Sequence, residues 1–206
     1  KSVDHYEELG YDENVVPNVI VTGKNPGSWA NGVRVAILDC KADQILELAS
    51  SGIATVGLGV TQAIDSVLPG VGAGTTLDGV LKGIITQVEG AQAYVKVVSH
   101  VSAAGTETAV DYQQNGIYKF GTEYNITVVN NSGVAAAHTS VNATADWFDQ
   151  QTLATSTSNV GVGTSVATVK WNILADRPGT SDYAAARGAR FDELHVVVLD
   201  GDGKIT

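Results

Sequence analysis

The chain has no methionine and a single cysteine, Cys40, and its 12 Lys and Arg are outnumbered by 22 Asp and Glu. Each shortage closes off a class of protein. One cysteine cannot form an internal disulfide, which excludes a small disulfide-stapled scaffold and leaves a buried thiol at a strand end as the plain reading. A net charge of −10 and a pI near 4.6 argue against a nucleic-acid backbone or an anionic membrane as partner, since both would repel the chain at ordinary salt. Ordinary solubility accounts for the acidity. No apolar run reaches the roughly 18 residues of a membrane-spanning helix, so no membrane insertion is expected. Lys1 is no initiator, and the sequence stops just after a turn that should begin a return strand. The chain therefore reads as a piece of a longer polypeptide.

What is present suits a folded protein of one domain or two small ones, because 206 residues with 44% hydrophobic content can bury a sizeable core. The opening 14 residues carry Asp4, Glu7, Glu8, Asp12 and Glu13 and read as an exposed lead-in. Residues 15–22 are β-branched but contain Pro17, which suits an edge strand. After the turn-rich loop 23–32, Val33, Val35 and Ile37 alternate with Arg34, Ala36 and Leu38 as a strand. Residues 43–49 place helix formers behind Asp43 and predict a short helix. The stretch 50–90 is rich in glycine and alanine; 67–74 is a loop, and 78–88 reads as helix or strand, with Gly79 and Gly83 weakening both.

Segment 94–101 alternates as a half-buried strand, and 106–111, 116–120, 124–130 and 141–148 repeat the pattern at short intervals with turns between. Residues 149–165, dense in Thr, Ser, Gly and Asn, read as a long loop. Residues 166–173 predict a strand, Pro178-Gly179 a turn, and 194–199, apolar on both faces, a core strand. Asp200-Gly-Asp-Gly203 then suits a hairpin turn. The expected fold is mainly β (α+β): an antiparallel β-sandwich or barrel-like sheets with a few short helices.

Reactive chemistry is hard to find in this pattern. His5, His100, His138 and His195 have no recognisable nucleophile motif around them, there is no Gly-x-Ser-x-Gly elbow, and His195 falls inside an expected core strand. Asp200-Gly-Asp-Gly-Lys204 resembles the opening of a calcium loop but the terminal glutamate is missing. The glycine-rich segments at 57–60 and 70–74 lack the lysine of a phosphate loop. Asn125, Asn130 and Asn142 open glycosylation triplets of a kind that a chain this rich in Asn, Thr and Ser yields by chance. No catalytic residue, cofactor site or metal site is expected. Arg177, Arg187 and Arg190 stand apart, as three guanidinium groups in one stretch of an acidic chain. Two readings stay open for them: a solvated loop paired with Asp176, Asp182 and Asp192, or a subunit contact, since arginine forks match carboxylates across interfaces.

Two segments resemble a known family. Gly23-Lys-Asn-Pro-Gly-Ser-Trp-Ala-Asn-Gly-Val-Arg-Val-Ala-Ile-Leu-Asp39 resembles the Asn-Pro-Gly-x-Trp-x-Asn strand of contractile-tail sheath proteins. The segment 177–206, from Arg-Pro-Gly-Thr-Ser-Asp-Tyr to Asp-Gly-Asp-Gly-Lys-Ile-Thr, resembles a segment of myovirus tail sheaths. Together they cover about a quarter of the chain and bracket the rest, a longer match than a short motif provides.

The resemblance implies a division into 1–39, opening segment and first strand of a sheath middle domain; 40–165, a β-rich part that could be an insertion specific to one lineage; and 166–206, the return strands. It implies a structural, non-enzymatic subunit whose partners are neighbouring sheath subunits in stacked hexameric rings, and the tail tube through parts absent from this chain. Its place would be the virion tail, assembled in the host cytoplasm, with no nucleic acid bound. Contraction of such a lattice drives the tube through the host envelope. Two rivals remain: a β-rich adhesion or carbohydrate-binding module, favoured by Trp29, Trp147 and Trp171 if they are exposed, and an enzyme domain completed by other sequence.

Overall fold

The alternation of apolar and polar residues becomes strands throughout the computed structural model, which describes residues 33–64, 78–112, 116–129, 136–153 and 169–199. The expected edge strand at 15–22, the loop at 67–74, most of the loop at 149–165, the hairpin at 200–206, His5 and Trp29 lie outside the described residues. In chain order the strands are β1 (Arg34–Asp39), β2 (Gln44–Leu48), β3 (Gly59–Ile64), β4 (Gly79–Glu89), β5 (Gln92–Ser102), β6 (Glu107–Ala109), β7 (Ile126–Val129), β8 (Ala137–Thr139), β9 (Val141–Asp146) and β10 (Leu194–Leu199). Short helices α1 (Trp147–Gln150) and α2 (Asp182–Ala185) and a 3-10 turn at Trp171–Ile173 complete the set. The protein is mainly β, and its strand pairs are antiparallel. The chain divides into two compact units, one made of Cys40–Gln151 with Lys170–Gly179, the other of the remainder.

The larger unit is one curled, half-barrel sheet of eight strands in the order β8-β7-β3-β4-β5-β2-β9, with β6 also on β5. Alternation puts Leu46, Val60, Leu81, Val95, Val97 and Ile126 on the inner face, all fully buried. Burying a side chain of this size is worth about 1.5–3 kcal/mol. The shared apolar cluster that these strands line sets the register, since a one-residue slip would turn each strand's apolar set outward.

The segment 43–49 is not the expected helix. Gln44, Leu46 and Leu48 are buried and Ile45 and Glu47 are not, a period of two, and β5 and β9 supply ladder partners on both sides. A helix of seven residues would be costly to nucleate alone, so pairing overrides propensity. Residues 78–88 resolve as strand. Gly79 adopts φ +134°, where a Cβ would lie 2.0 Å from the Val101 carbonyl oxygen. At Gly83 a Cβ would meet Val95 Cγ1 at 2.7 Å, Lys96 O at 2.9 Å and Phe120 at 3.0 Å.

The expected strand at 116–120 is also absent; that segment runs as bends into the buried Phe120. Two inward-facing glutamines take the place of a ladder partner. Gln44 donates to Phe120 O (3.0 Å) and accepts from Phe120 N (2.7 Å). Gln62 donates to the carbonyls of Gly121 (2.8 Å) and Tyr124 (2.7 Å) and accepts from Gly121 N (2.8 Å). Both buried amides are thereby satisfied and the loop is held with Phe120 in the apolar cluster.

In the smaller unit β1 pairs with β10 from Arg34 opposite Leu199 to Asp39 opposite Leu194. The core strand expected at 194–199 forms a strand, but one that is only partly buried. Leu38 and Leu199 are buried, but Ile37, Leu194 and Val196 are each about half exposed, at 46%, 54% and 54%, and among the described residues this sheet has two strands. Nor does the strand expected at 166–173 form among its described residues: Trp171–Ile173 is a 3-10 turn. It buries Trp171 and leaves Ile173 exposed.

Candidate functional site

Among the described residues the densest charge cluster lies in the larger unit and begins where β5 changes partner. One edge of β5 pairs with β2 up to Val95 and with β6 from Ser99, so the Val97 N–H between them faces no strand. Asp43, just before β2, fills the gap: its N–H donates to Val95 O (2.9 Å) and its Oδ2 accepts from Val97 N (2.8 Å). The carboxylate at the head of the expected helix therefore completes a sheet edge. Its Oδ1 lies 3.8 Å from Lys96 Nζ and 3.9 Å from Arg177 Nη1.

Arg177 reaches this position from the segment Lys170–Gly179, followed by the fully buried Pro178. Its Nη2 pairs with Asp146 at the end of β9. The guanidinium stacks over Tyr112 (4.9 Å) and Phe148 (5.6 Å). Asp146 also accepts from Tyr112 Oη (3.0 Å) and caps α1 by accepting from Asp149 N (3.1 Å). Two carboxylates thus face two cations, and the cluster is close to neutral.

Burial pushes the Asp43 carboxyl above the ordinary 3.8, outweighing the opposing pull of Lys96, the Val97 N–H and Arg177, while Asp111 adds to the rise. Burial, with Asp146 beside it, also lifts the Tyr112 phenol well above its usual range. At neutral pH the phenol stays a donor. The cluster can hold the segment bearing Arg177 against the ends of β2, β5 and β9; it presents no activated nucleophile among these groups. A shallow depression of about 190 Å³ beside it is lined by Phe148, Asp149, Asn172, Ala175, Asp176 and Arg177.

Cys40 precedes this cluster and is half-buried. Lys96 Nζ lies 2.6 Å from its carbonyl oxygen and 2.7 Å from its Sγ.

The three arginines divide between the two units. Arg177 belongs to the larger unit, Arg187 and Arg190 to the smaller. Arg177 pairs with Asp43 and Asp146, remote in sequence. Arg187 is exposed, stacked on the exposed Tyr183 at 3.5 Å and donating to Tyr183 O (3.1 Å). Arg190 stacks on Phe191 at 4.7 Å. The loop carrying them is closed by Asp192, which accepts from Ser181 N (2.8 Å) and Ser181 Oγ (2.6 Å). Those two bonds hold the Asp192 carboxyl below its ordinary value.

Histidines 100, 138 and 195 sit on three different strands, β5, β8 and β10. His100 is buried, with Nε2 3.2 Å from Asp78 O and the ring near Tyr118. His138 Nδ1 lies 3.0 Å from Thr127 Oγ1. Trp147 and Trp171 are buried at 4% and 3% exposure, so neither offers the open platform that sugar stacking would use. Among the described residues no three His, Cys, Asp or Glu side chains gather as metal ligands, and no helix is long and apolar enough to cross a membrane.

Sequence reasoning singled out Arg177 but missed Asp43 as its partner, together with Lys96, Tyr112 and Asp146. No spacing rule links them, since they come from separate strands and loops that only the tertiary fold brings together. No protein-family profile, curated protein or solved structure matches the chain.

Proposed function

We propose that the chain is part of a structural subunit of a contractile tail sheath, working through subunit contacts and not through reactive side chains. The observation that carries this reading is the pairing of β1 with β10. These strands come from the two segments that resemble sheath proteins, far apart in sequence, and they are antiparallel partners in one unit. The chain between them builds the eight-stranded sheet as a unit of its own, in keeping with a module carried between two parts of a common domain.

A shell that changes its lattice needs bodies that stay rigid and contacts that can exchange. Apolar strands and the neutral Asp43–Lys96–Arg177–Asp146 cluster supply rigidity within the larger unit. Arg187 and Tyr183 supply an exposed Arg-aromatic patch on the smaller one, of residue types enriched where subunits meet. Arg187 and Arg190 are accordingly the subunit-contact residues of this reading, and Arg177 is an internal fastening.

Sedimentation and electron microscopy of the parent polypeptide test the proposal. Rings or tubes with six subunits per turn are expected. A protein that stays monomeric at high concentration, or that binds glycans as a monomer, overturns it.

A further inference from the structure

A lone thiol has no disulfide partner in this chain, but it does have a nitrogen partner. Lys96 Nζ lies 2.7 Å from Cys40 Sγ and is held there by a second contact, 2.6 Å to Cys40 O. The lysine side chain is 11% exposed, so the amine is confined to a narrow space, and Cys40 is half-buried, within reach of a small oxidant. We propose that Cys40 and Lys96 form a reversible sulfenamide cross-link when a peroxide oxidises the thiol.

The chemistry balances in two steps. The thiol attacks a peroxide oxygen; the O–O bond breaks, an S–O bond forms, and for hydrogen peroxide one water leaves, giving Cys40 sulfenic acid. Lys96 in its amine form then attacks Sγ: the S–N bond forms as the S–O bond breaks, and the hydroxyl departs as a second water. Of the two protons the ammonium gives up, one goes into that water and the other passes to solvent, with the Asp43 carboxylate 3.8 Å from Nζ as an acceptor on the way. The peroxide is reduced by two electrons and the sulfur is oxidised by two. A thiol reductant reverses the linkage by attacking sulfur and releasing the amine.

The bond would join residues 56 apart, from the first position of the larger unit to the middle of β5. Cross-linking a loop of that size restricts the unfolded chain, so the oxidised protein should melt at a higher temperature than the reduced one. It would also stop sulfur from proceeding to the irreversible acids.

The test treats the 206-residue chain with hydrogen peroxide, blocks remaining thiol, and maps proteolytic peptides by mass. The expected product joins the peptides containing Cys40 and Lys96, weighs two hydrogens less than their sum, and separates with dithiothreitol. In Lys96→Arg the joined product should vanish and Cys40 should go on to sulfinic acid. Oxidation of the native chain that adds oxygens to Cys40 without any joined peptide overturns the proposal, as does a joined product that retains an oxygen. Mapping on the native chain decides the matter even where Lys96→Arg fails to fold.

Discussion

Replacing Arg177 by alanine should destabilise the larger unit by about 3 kcal/mol. Breaking a buried ion pair costs about 3–5 kcal/mol because the carboxylate left behind stays buried with less compensation. Asp43 and Asp146 retain only 4% and 5% of their side-chain exposure. Three features place the value at the lower end: Arg177 is 21% exposed, Asp43 keeps Lys96, and Asp146 keeps the Tyr112 hydroxyl. A loss of this size lowers the folding equilibrium by roughly two powers of ten. Arg177→Lys should fall between, keeping the charge while losing the fork and the stacking on Tyr112 and Phe148. Urea unfolding followed by tryptophan fluorescence is a suitable assay, because Trp147 and Trp171 are buried close to this cluster. Adding Asp146→Asn to Arg177→Ala should recover part of the loss, since it removes the stranded charge. A loss under about 1 kcal/mol, or no recovery in the double variant, would refute the cluster as a fastening.

Gly83→Ala should cost about 2 kcal/mol, because its Cβ would meet Val95, Phe120 and the fixed Lys96 carbonyl; an unchanged urea midpoint would contradict that packing. Asp43→Asn should flatten the pH dependence of stability. With its pKa raised in the fold, Asp43 contributes stability that is full below the ordinary 3.8 and is lost as pH rises through the folded value, so native protein should lose ground to the variant between acid and neutral pH. Urea midpoints for both at the two ends of that window check the sign. Arg187→Ala combined with Arg190→Ala should change folding stability by no more than about 0.5 kcal/mol yet abolish ring or tube formation; normal polymers from this variant would count against the contact role.

Much of the β character was legible because half-buried strands write a period of two into the sequence, as β5 and β7 do. Where pairing partners decide, the pattern misleads. Segment 43–49 has helical composition but lies between two strands, and 116–120 alternates but meets glutamine amides in place of a backbone ladder. β10 is apolar on both faces in sequence, yet that pattern did not reveal that Leu194 and Val196 are about half exposed. At the candidate site only Arg177 was visible as unusual. Its role was hidden because Asp43, Lys96, Tyr112 and Asp146 come from separate strands and loops, and a single acidic or aromatic residue carries no mark of the partner that the fold will give it.

The claim that this is a mechanical subunit is tested most directly by three-dimensional reconstruction of the assembled parent protein before and after triggering. The account predicts a helical lattice that shortens and widens while the β1–β10 pair and the eight-stranded sheet keep their internal structure and the contacts around Arg187 change. Failure to form any lattice, or a contraction that unravels either sheet, would contradict it.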